Sequence, residues 1–505
     1  MNRLSIGFFM GLTVLSWESF ASADTLRQEV DGYRSAHEAM IVGELEGLVR
    51  LPSVAAQPGG MAAAASKIQS LLVERGFAVQ AWPTVPGRPP VIFASYPVAG
   101  ARRTVLFYAH YDGQPVTPSQ WSSDPFRPAM RSGAQDVDWK NAKQSFDPEW
   151  RLYGRAAADD KVTIIAFLSA FDALKVVGRK PSVNIKLLWE GEEEAGSAHL
   201  PEVLRDHARE LGSDVLLIGD GPEHQSRTPT LYFGARGSMV LEATVYGPLR
   251  ALHDGHYGNW VPNPAMLAAS LITQLRDVDG RILIPGFMDD VRPLTASERA
   301  AITALPPVEE ELRREFGIGG TEGTEGLTAS TMRPALNIRG LRSGQVGAEA
   351  NAAIPPDAIV SLDFRLVPDQ VPERVRGRVE EFLRAKGWTL VTAAPDLATR
   401  LAHPRIVRLA WGDGYPGLRS NMDSAPAQAV IRAAGQAAGR PVTVLPMMGA
   451  SVPIYMFYNQ FHVPIIGLPI ANHDDNQHAA NENIRLRNLW DGIVTYAAMM
   501  GALDW

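Results

Sequence analysis

The chain has 505 residues, no cysteine, and 48 Lys and Arg against 55 Asp and Glu, for a formal net charge of −7. That length exceeds what one hydrophobic core serves, so two domains are expected. The missing cysteine excludes disulfides, thiolate metal sites and a cysteine nucleophile, and the acidic balance offers no footing for nucleic acid.

The N-terminus reads as a secretory leader: Asn2-Arg3, an apolar stretch over 4–17, then Ala21-Ser22-Ala23 before Asp24, an A-x-A cleavage pattern. Cleavage near Ala23/Asp24 predicts a periplasmic or secreted protein with no membrane anchor, because the apolar stretch is too short to span a bilayer and ends in Ser16, Glu18 and Ser19. The alanines at 62–65 open a helix running to Leu72. From 104 to 218, apolar strand runs at 105–109, 183–189 and 215–218 alternate with helical segments at 162–174 and 198–211. Such alternation predicts an α/β layer with a largely parallel sheet. After Tyr232-Phe-Gly-Ala-Arg-Gly237 the character changes to an α+β set: strands at 239–245, 358–366 and 388–392, helices at 262–274 and 371–385, and a polar Gly/Pro-rich insertion at 280–328. From about Asp423 the α/β pattern resumes, with a helix over 428–438 and an extended run over 442–445. The predicted organisation is a signal peptide over 1–23, one domain over 24–237 and 421–505, and a second domain over 238–420 inserted into it.

Chemistry-bearing residues gather at the ends of the strand runs. His110-Tyr111-Asp112 closes the run 103–110, and Asp159-Asp160-Lys161, Glu192-Glu193-Glu194, Asp220 and His478 follow downstream. Singly each has an ordinary reading: a hydrogen-bonded His-x-Asp pair, a helix N-cap at Asp159-Asp160, an acidic helix start at 190–194, a turn at Asp220. Together they set hard oxygen ligands and imidazoles at strand ends, where several segments converge on one cleft. Two imidazoles and three carboxylates suit Zn²⁺ or a similar cation, with one carboxylate bridging two ions. His473, Asp474 and Asp475 rival His478 as the last ligand.

Tyr108-Ala-His110-Tyr-Asp112, Trp121-x-x-x-Pro125-Phe126, the segment from Leu152 to Lys161, Glu190-Gly-Glu-Glu193-Glu194-Ala-Gly196-Ser197, Phe364-Arg365-Leu-Val-Pro368 and Gly449-Ala-Ser451-Val-Pro453 resemble the M20 family of metallopeptidases, and within it the carnosinase-like dipeptidase branch. The resemblance implies an α/β di-zinc catalytic domain interrupted by a smaller α+β lid or dimerisation domain. It implies two Zn²⁺ per subunit, with His110 and Asp220 on one, Glu194 and His478 on the other and Asp159 bridging. Glu193 becomes the general base, and Asp112 orients the His110 imidazole. His253 is similar to a histidine that reaches across from a partner subunit to the oxyanion, which implies a homodimer. Arg365 is similar to an arginine that binds the substrate carboxylate; Asn263, Gly449 and Ser451 are further substrate-contact candidates.

The chain departs from the family pattern at Ala156, where Gly-Arg-Gly is usual, and at Asp413 in Trp411-Gly-Asp413-Gly414, where a substrate-contacting histidine sits in a glycine-rich loop. The expected activity is amide hydrolysis on dipeptides or similar small molecules with a free carboxylate. An N-acyl-amino-acid amidohydrolase or a carboxypeptidase is the enzymatic alternative. A peptide-binding protein without turnover is the non-enzymatic one, disfavoured because it has no use for Glu193.

Overall fold

The computed structural model describes residues 14–54, 57–141, 146–450, 452 and 454–505. The chain divides into two compact units. The first comprises the residues up to Phe233 together with Ser420–Val444 and Met456–Trp505; the second comprises Gly234–Arg419 with Leu445–Tyr455. The segment 445–455, expected with the first unit, belongs to the second, where Met448 N–H donates to the Gly234 carbonyl at 2.9 Å.

The first unit is built on an eight-stranded sheet with Thr104–His110 near its middle. That strand pairs in parallel with Asn184–Glu190 on one side and Val215–Ile218 on the other, and Val215–Ile218 pairs in parallel with Ile465–Gly467. Its apolar run Val105 to Ala109 is buried, as a strand covered on both faces requires. The outer strands Ala78–Trp82 and Val91–Tyr96 run antiparallel, so only the centre of the sheet is parallel. Helix Val162–Val176 is apolar nearly all round and buried up to Leu174, which makes it an internal helix. The helix expected over 198–211 is two pieces, Leu200–Asp206 and Ala208–Leu211. Between them His207 stacks on Trp82 with ring centroids 3.7 Å apart. Residues read as leader and early mature chain form one helix, Val14–Val49. No helix among the described residues is long and apolar enough to cross a membrane.

The second unit carries a five-stranded sheet in the order Ala335–Arg342, Asp357–Leu366, Gly237–Tyr246, Ile406–Tyr415, Thr389–Val391. Alternation sorts its faces. Met239, Leu241, Ala243 and Val245 join Ala358, Val360, Leu362, Phe364 and Leu366 in the core with Leu271, Val375 and Val379 from the helices Pro264–Leu275 and Pro372–Ala385, leaving the intervening residues on the other face. Two readings are corrected here. Asp413 lies in the strand Ile406–Tyr415 and not in a loop, its glycines accommodated by a register shift opposite Met239/Leu241. The insertion 280–328 carries the helices Ala296–Thr303 and Glu309–Phe316, the first closed by a Thr295/Glu298 capping box.

Glu223 of the first unit is buried, with Oε2 accepting from Asn488 Nδ2 at 2.8 Å. Burial pushes its carboxyl up to about 8, with Asp491 adding and Arg440 opposing. An unfolded glutamate titrates near about 4.3, so across that window the folded chain holds a proton that the unfolded chain has released. The stabilisation is complete below about pH 4.3 and is lost as pH rises through 8. Glu223→Gln should therefore gain stability relative to the parent between about pH 5 and pH 8.5 in denaturant melts; parallel pH profiles would refute the assignment.

Candidate metal centre

Three parallel neighbours deliver most of the site from the carboxyl edge of the first unit's sheet. His110 ends Thr104–His110, Glu193 and Glu194 follow Asn184–Glu190, and Asp220 lies two residues beyond Val215–Ile218. Strand ends in register leave their loops free to converge. Between Glu190 and the Glu193–Ala195 turn only glycine fits at 191, because a Cβ there would meet the Tyr111 ring at 2.7 Å. Asp159 comes from the turn preceding Val162–Val176, across a cis Asp159-Asp160 peptide. His478 comes from the 472–482 loop with φ 61°.

These residues meet as two groups. His110, Glu193 and Asp220 offer ligand atoms within 4.8 Å of one another, and Asp159, Glu194 and His478 do the same. Asp159 touches both: Oδ1 is 2.9 Å from His110 Nε2 and Oδ2 is 3.1 Å from His478 Nε2. His478 Nε2 is also 3.2 Å from Glu194 Oε2. Asp112 Oδ1 lies 3.3 Å from His110 Nδ1, and its Oδ2 accepts the Glu194 backbone N–H at 3.1 Å. Glu193, expected as a base, thus stands within the first ligand group. Asp474 is taken by Arg151 and Arg485, and Asp475 accepts from the Gln477 backbone N–H, so neither stands in a ligand group.

The electrostatics are those of a donor set built for cations. Burial raises Asp220 to about 7, with Asp159 adding to the shift. Burial also pushes Glu193 well up, His110 opposing and Asp220 and Asp159 reinforcing. Asp159 goes the other way: burial opposes, but hydrogen bonds from His110 and His478 hold it far below the usual carboxylate range. Hydrogen bonds to Asp159 first and Glu194 second carry His478 up to about 10. Four carboxylates and two imidazoles without a thiolate suit borderline or hard divalent ions.

Several supporting residues escaped the sequence reading. Gln114 Nε2 donates to Glu194 Oε2 at 2.7 Å, and Gln477 Nε2 donates to Asp159 Oδ2 at 2.9 Å. Glu482 accepts from Arg155 Nη1 at 2.7 Å and from the backbone N–H groups of Ala156, Ala158 and Asp159 at 3.0–3.1 Å. Amides carry no charge signature in a sequence, so only the fold exposes Gln114 and Gln477.

The remaining candidates belong to the second unit. His253 is exposed and its ring nitrogen accepts from Gly255 N–H at 3.1 Å, capping the short helix Asp254–Tyr257. Asn263 Oδ1 accepts from Ala265 N–H at 2.9 Å as the N-cap of Pro264–Leu275, so its oxygen is committed to the helix. Arg365 Nε donates to Asp363 at 2.7 Å. Gly449 faces Thr331, whose Cγ2 would lie 3.3 Å from an added Cβ; Ser451 lies outside the described residues.

An α/β sheet carrying two adjoining ligand groups on its carboxyl edge defines a metal-dependent hydrolase. The profile of Peptidase family M20/M25/M40 matches residues 106–502, and the chain belongs to that family. It is 28% identical over 425 residues to the Cys-Gly metallodipeptidase dug1 of Schizosaccharomyces pombe, covering 82% of this chain and 83% of that protein. It is 28% identical to the human Beta-Ala-His dipeptidase, covering 81% and 76%. Among solved structures, the M20 metallo-carboxypeptidase Sso-CP2 of Sulfolobus solfataricus superposes with TM-score 0.73 at 27% identity, covering 91% of this chain and 98% of that one. Human carnosine dipeptidase 1 superposes with TM-score 0.73 at 25% identity, covering 94% and 98%. The expected periplasmic or secreted location is withdrawn: the relatives matched over four-fifths of the chain, named as Cys-Gly and Beta-Ala-His dipeptidases, lend it no support.

Ala156 holds φ 61° and ψ 16°, a left-handed conformation that costs a Cβ-bearing residue roughly 1 kcal/mol. A Cβ on Gly113 would come within 2.9 Å of the Ala156 Cβ, so the two positions share one space. Gly113→Ala should destabilise the parent by about 1–3 kcal/mol and the Ala156→Gly background by clearly less. Additive losses in urea melts would show that the positions are independent.

Proposed function

We propose that the chain is a di-zinc dipeptidase with two Zn²⁺ per subunit, acting on dipeptides or similar small amides with a free carboxylate. His110 and Asp220 would hold one ion, Glu194 and His478 the other, with Asp159 bridging. The observation that carries this reading is the position of Asp159, one oxygen 2.9 Å from His110 and the other 3.1 Å from His478. Bound ions would supply Lewis-acid polarisation of the scissile carbonyl and acidification of water. The Glu193 carboxylate takes the proton of the attacking water and passes it to the leaving amine. Asp112, beside His110 Nδ1, fixes the ring so that Nε2 turns toward the ligand group.

The substrate class follows from the relatives, which are named for Cys-Gly and Beta-Ala-His. A planar guanidinium at Arg365 suits the substrate's carboxylate. The second reading, release of a C-terminal residue from longer or N-acylated substrates, draws on the equal likeness to the carboxypeptidase Sso-CP2. A panel of dipeptides and N-acyl amino acids assayed with zinc-loaded protein decides between them, by which class gives the higher kcat/KM.

Glu193→Gln should keep two metals per chain by elemental analysis and lose nearly all turnover, because the amide keeps the size and cannot accept the proton. Asp159→Ala should lose metal, since one carboxylate serves both ions. A Glu193→Gln protein with most of its kcat would remove the base assignment, and full metal content in Asp159→Ala would remove the bridge.

The active unit is a homodimer in which His253 donates to the developing oxyanion in its partner's site. Its exposure supports this, as do Trp260 at 80% and Met266 at 70% exposure in the segments that follow, large apolar surfaces that favour a partner. His253→Ala should lower kcat by about two to three decades with metal content intact. Mixed with Glu193→Gln, it should regain activity, because a heterodimer carries one site with both lesions and one with neither. No recovery after verified subunit exchange would place His253 outside the partner's chemistry.

A further inference from the structure

Resting on the reading of Arg365 above, we infer that Arg236 is a second arginine for the substrate's terminal carboxylate, so that two guanidiniums and not one define the preference for free-acid substrates. The argument lies within the second unit. Ser238 pairs directly with Arg365, and Val240 with Asp363, in the antiparallel ladder between Gly237–Tyr246 and Asp357–Leu366. Residues two apart share a face. The even-numbered positions of the first strand and the odd-numbered positions of the second therefore turn away from the core, and Arg236, just ahead of Ser238, falls in the row that includes Arg365 and Asp363.

Arg236 is 8% exposed, unusual for an arginine with no ion-paired carboxylate among the described residues. Nη2 donates to the Arg333 carbonyl at 2.8 Å, while Nε is buried with no partner. Asp363 already takes Arg365 Nε at 2.7 Å. Asp363 is thus engaged by Arg365, and among the described residues Arg236 forms no ion pair, so its guanidinium keeps a positive charge that a further carboxylate would balance. The electrostatics agree: burial first and Arg365 second bring Arg236 down to about 10, Asp363 opposing. The Arg236 backbone N–H also donates to the Ala450 carbonyl at 3.1 Å, which ties it to the loop bearing Gly449, the other substrate-contact candidate. A planar fork beside a second guanidinium matches the two oxygens of a carboxylate; it has nothing to offer a terminal carboxamide in exchange for the charge.

The test compares kcat/KM for a dipeptide and for its C-terminal amide, using zinc-loaded wild type, Arg236→Gln and Arg236→Lys. Wild type should favour the acid, and the acid-to-amide ratio should fall at least about tenfold in Arg236→Gln, the scale of one charge-assisted hydrogen bond. Arg236→Lys should also lose part of the ratio, because an ammonium keeps the charge without the fork. A purely structural Arg236 would lower both substrates in parallel, and an unchanged ratio in the two variants overturns the inference. A wild-type ratio near one would instead overturn the free-carboxylate reading itself. Should neither variant fold, the wild-type complex with a phosphinate dipeptide mimic decides: a carboxylate oxygen within about 3.2 Å of an Arg236 nitrogen is expected, and a carboxylate lodged elsewhere overturns the inference.

Discussion

Glu482 accepts four hydrogen bonds from one short stretch of chain, the Arg155 guanidinium and the N–H groups of Ala156, Ala158 and Asp159. Its side chain is fully buried, and burial alone would drive it toward neutrality, which is the direction its carboxyl takes, up to about 7 with Arg155 opposing. The donors exist because the turn at 156–159 leaves its N–H groups without partners in a regular element, ahead of the helix Val162–Val176. A carboxylate brought in from the far end of the chain satisfies them and fixes the backbone that presents Asp159. The geometry of the ligand groups rests on that anchoring, because Asp159 reaches both imidazoles.

Lys161 extends the same logic. It is buried, and its ammonium donates to the carbonyls of Leu48 and Leu51, at the end of the helix Val14–Val49. Leu48 lies in the last turn of that helix and Leu51 just beyond it, where a cation is favoured by the helix dipole; the two carbonyls also accept the N–H groups of Leu51 and Ser53. Burial brings the ammonium down to about 7, with Glu482 and Asp112 opposing, a cost that hydrogen bonds to two carbonyls partly offset. The turn carrying Asp159 is therefore held on one side by an anion and on the other by a cation. Neither is a metal-ligand candidate.

The residues of both ligand groups were legible because imidazoles and carboxylates at strand ends leave a mark: His110 after five apolar residues, Asp220 after four, the glutamates after a run ending in Trp189. The positions that hold them were far less so. Gln114 and Gln477 look like any surface amide, and Glu482 gains meaning only when the 154–159 turn is brought beside it. Most of the apolar stretch read as a leader, residues 4–13, lies outside the described residues. The strand Ile406–Tyr415 was missed because Gly412 and Gly414 suggest a loop; both lie against the neighbouring strand, where a Cβ would meet Val240 or Met239, so glycine there marks close packing of the sheet.

Charge is also divided between the two units in a way that bears on chemistry. In the first, the arginines near the ligand groups are already engaged, Arg155 by Glu482 and both Arg151 and Arg485 by Asp474. Among the described residues none forms an ion pair with Asp159, Glu193, Glu194 or Asp220. A guanidinium on any of these would compete with a cation for the same oxygens and would hold the carboxylate out of the ligand geometry. The guanidiniums of Arg236 and Arg365 are placed in the second unit, where Arg365 bonds Asp363 and both bear on the charge of Arg236. With the first unit's arginines engaged elsewhere, the oxygens of its ligand groups meet no guanidinium competitor among the described residues and remain open to cations.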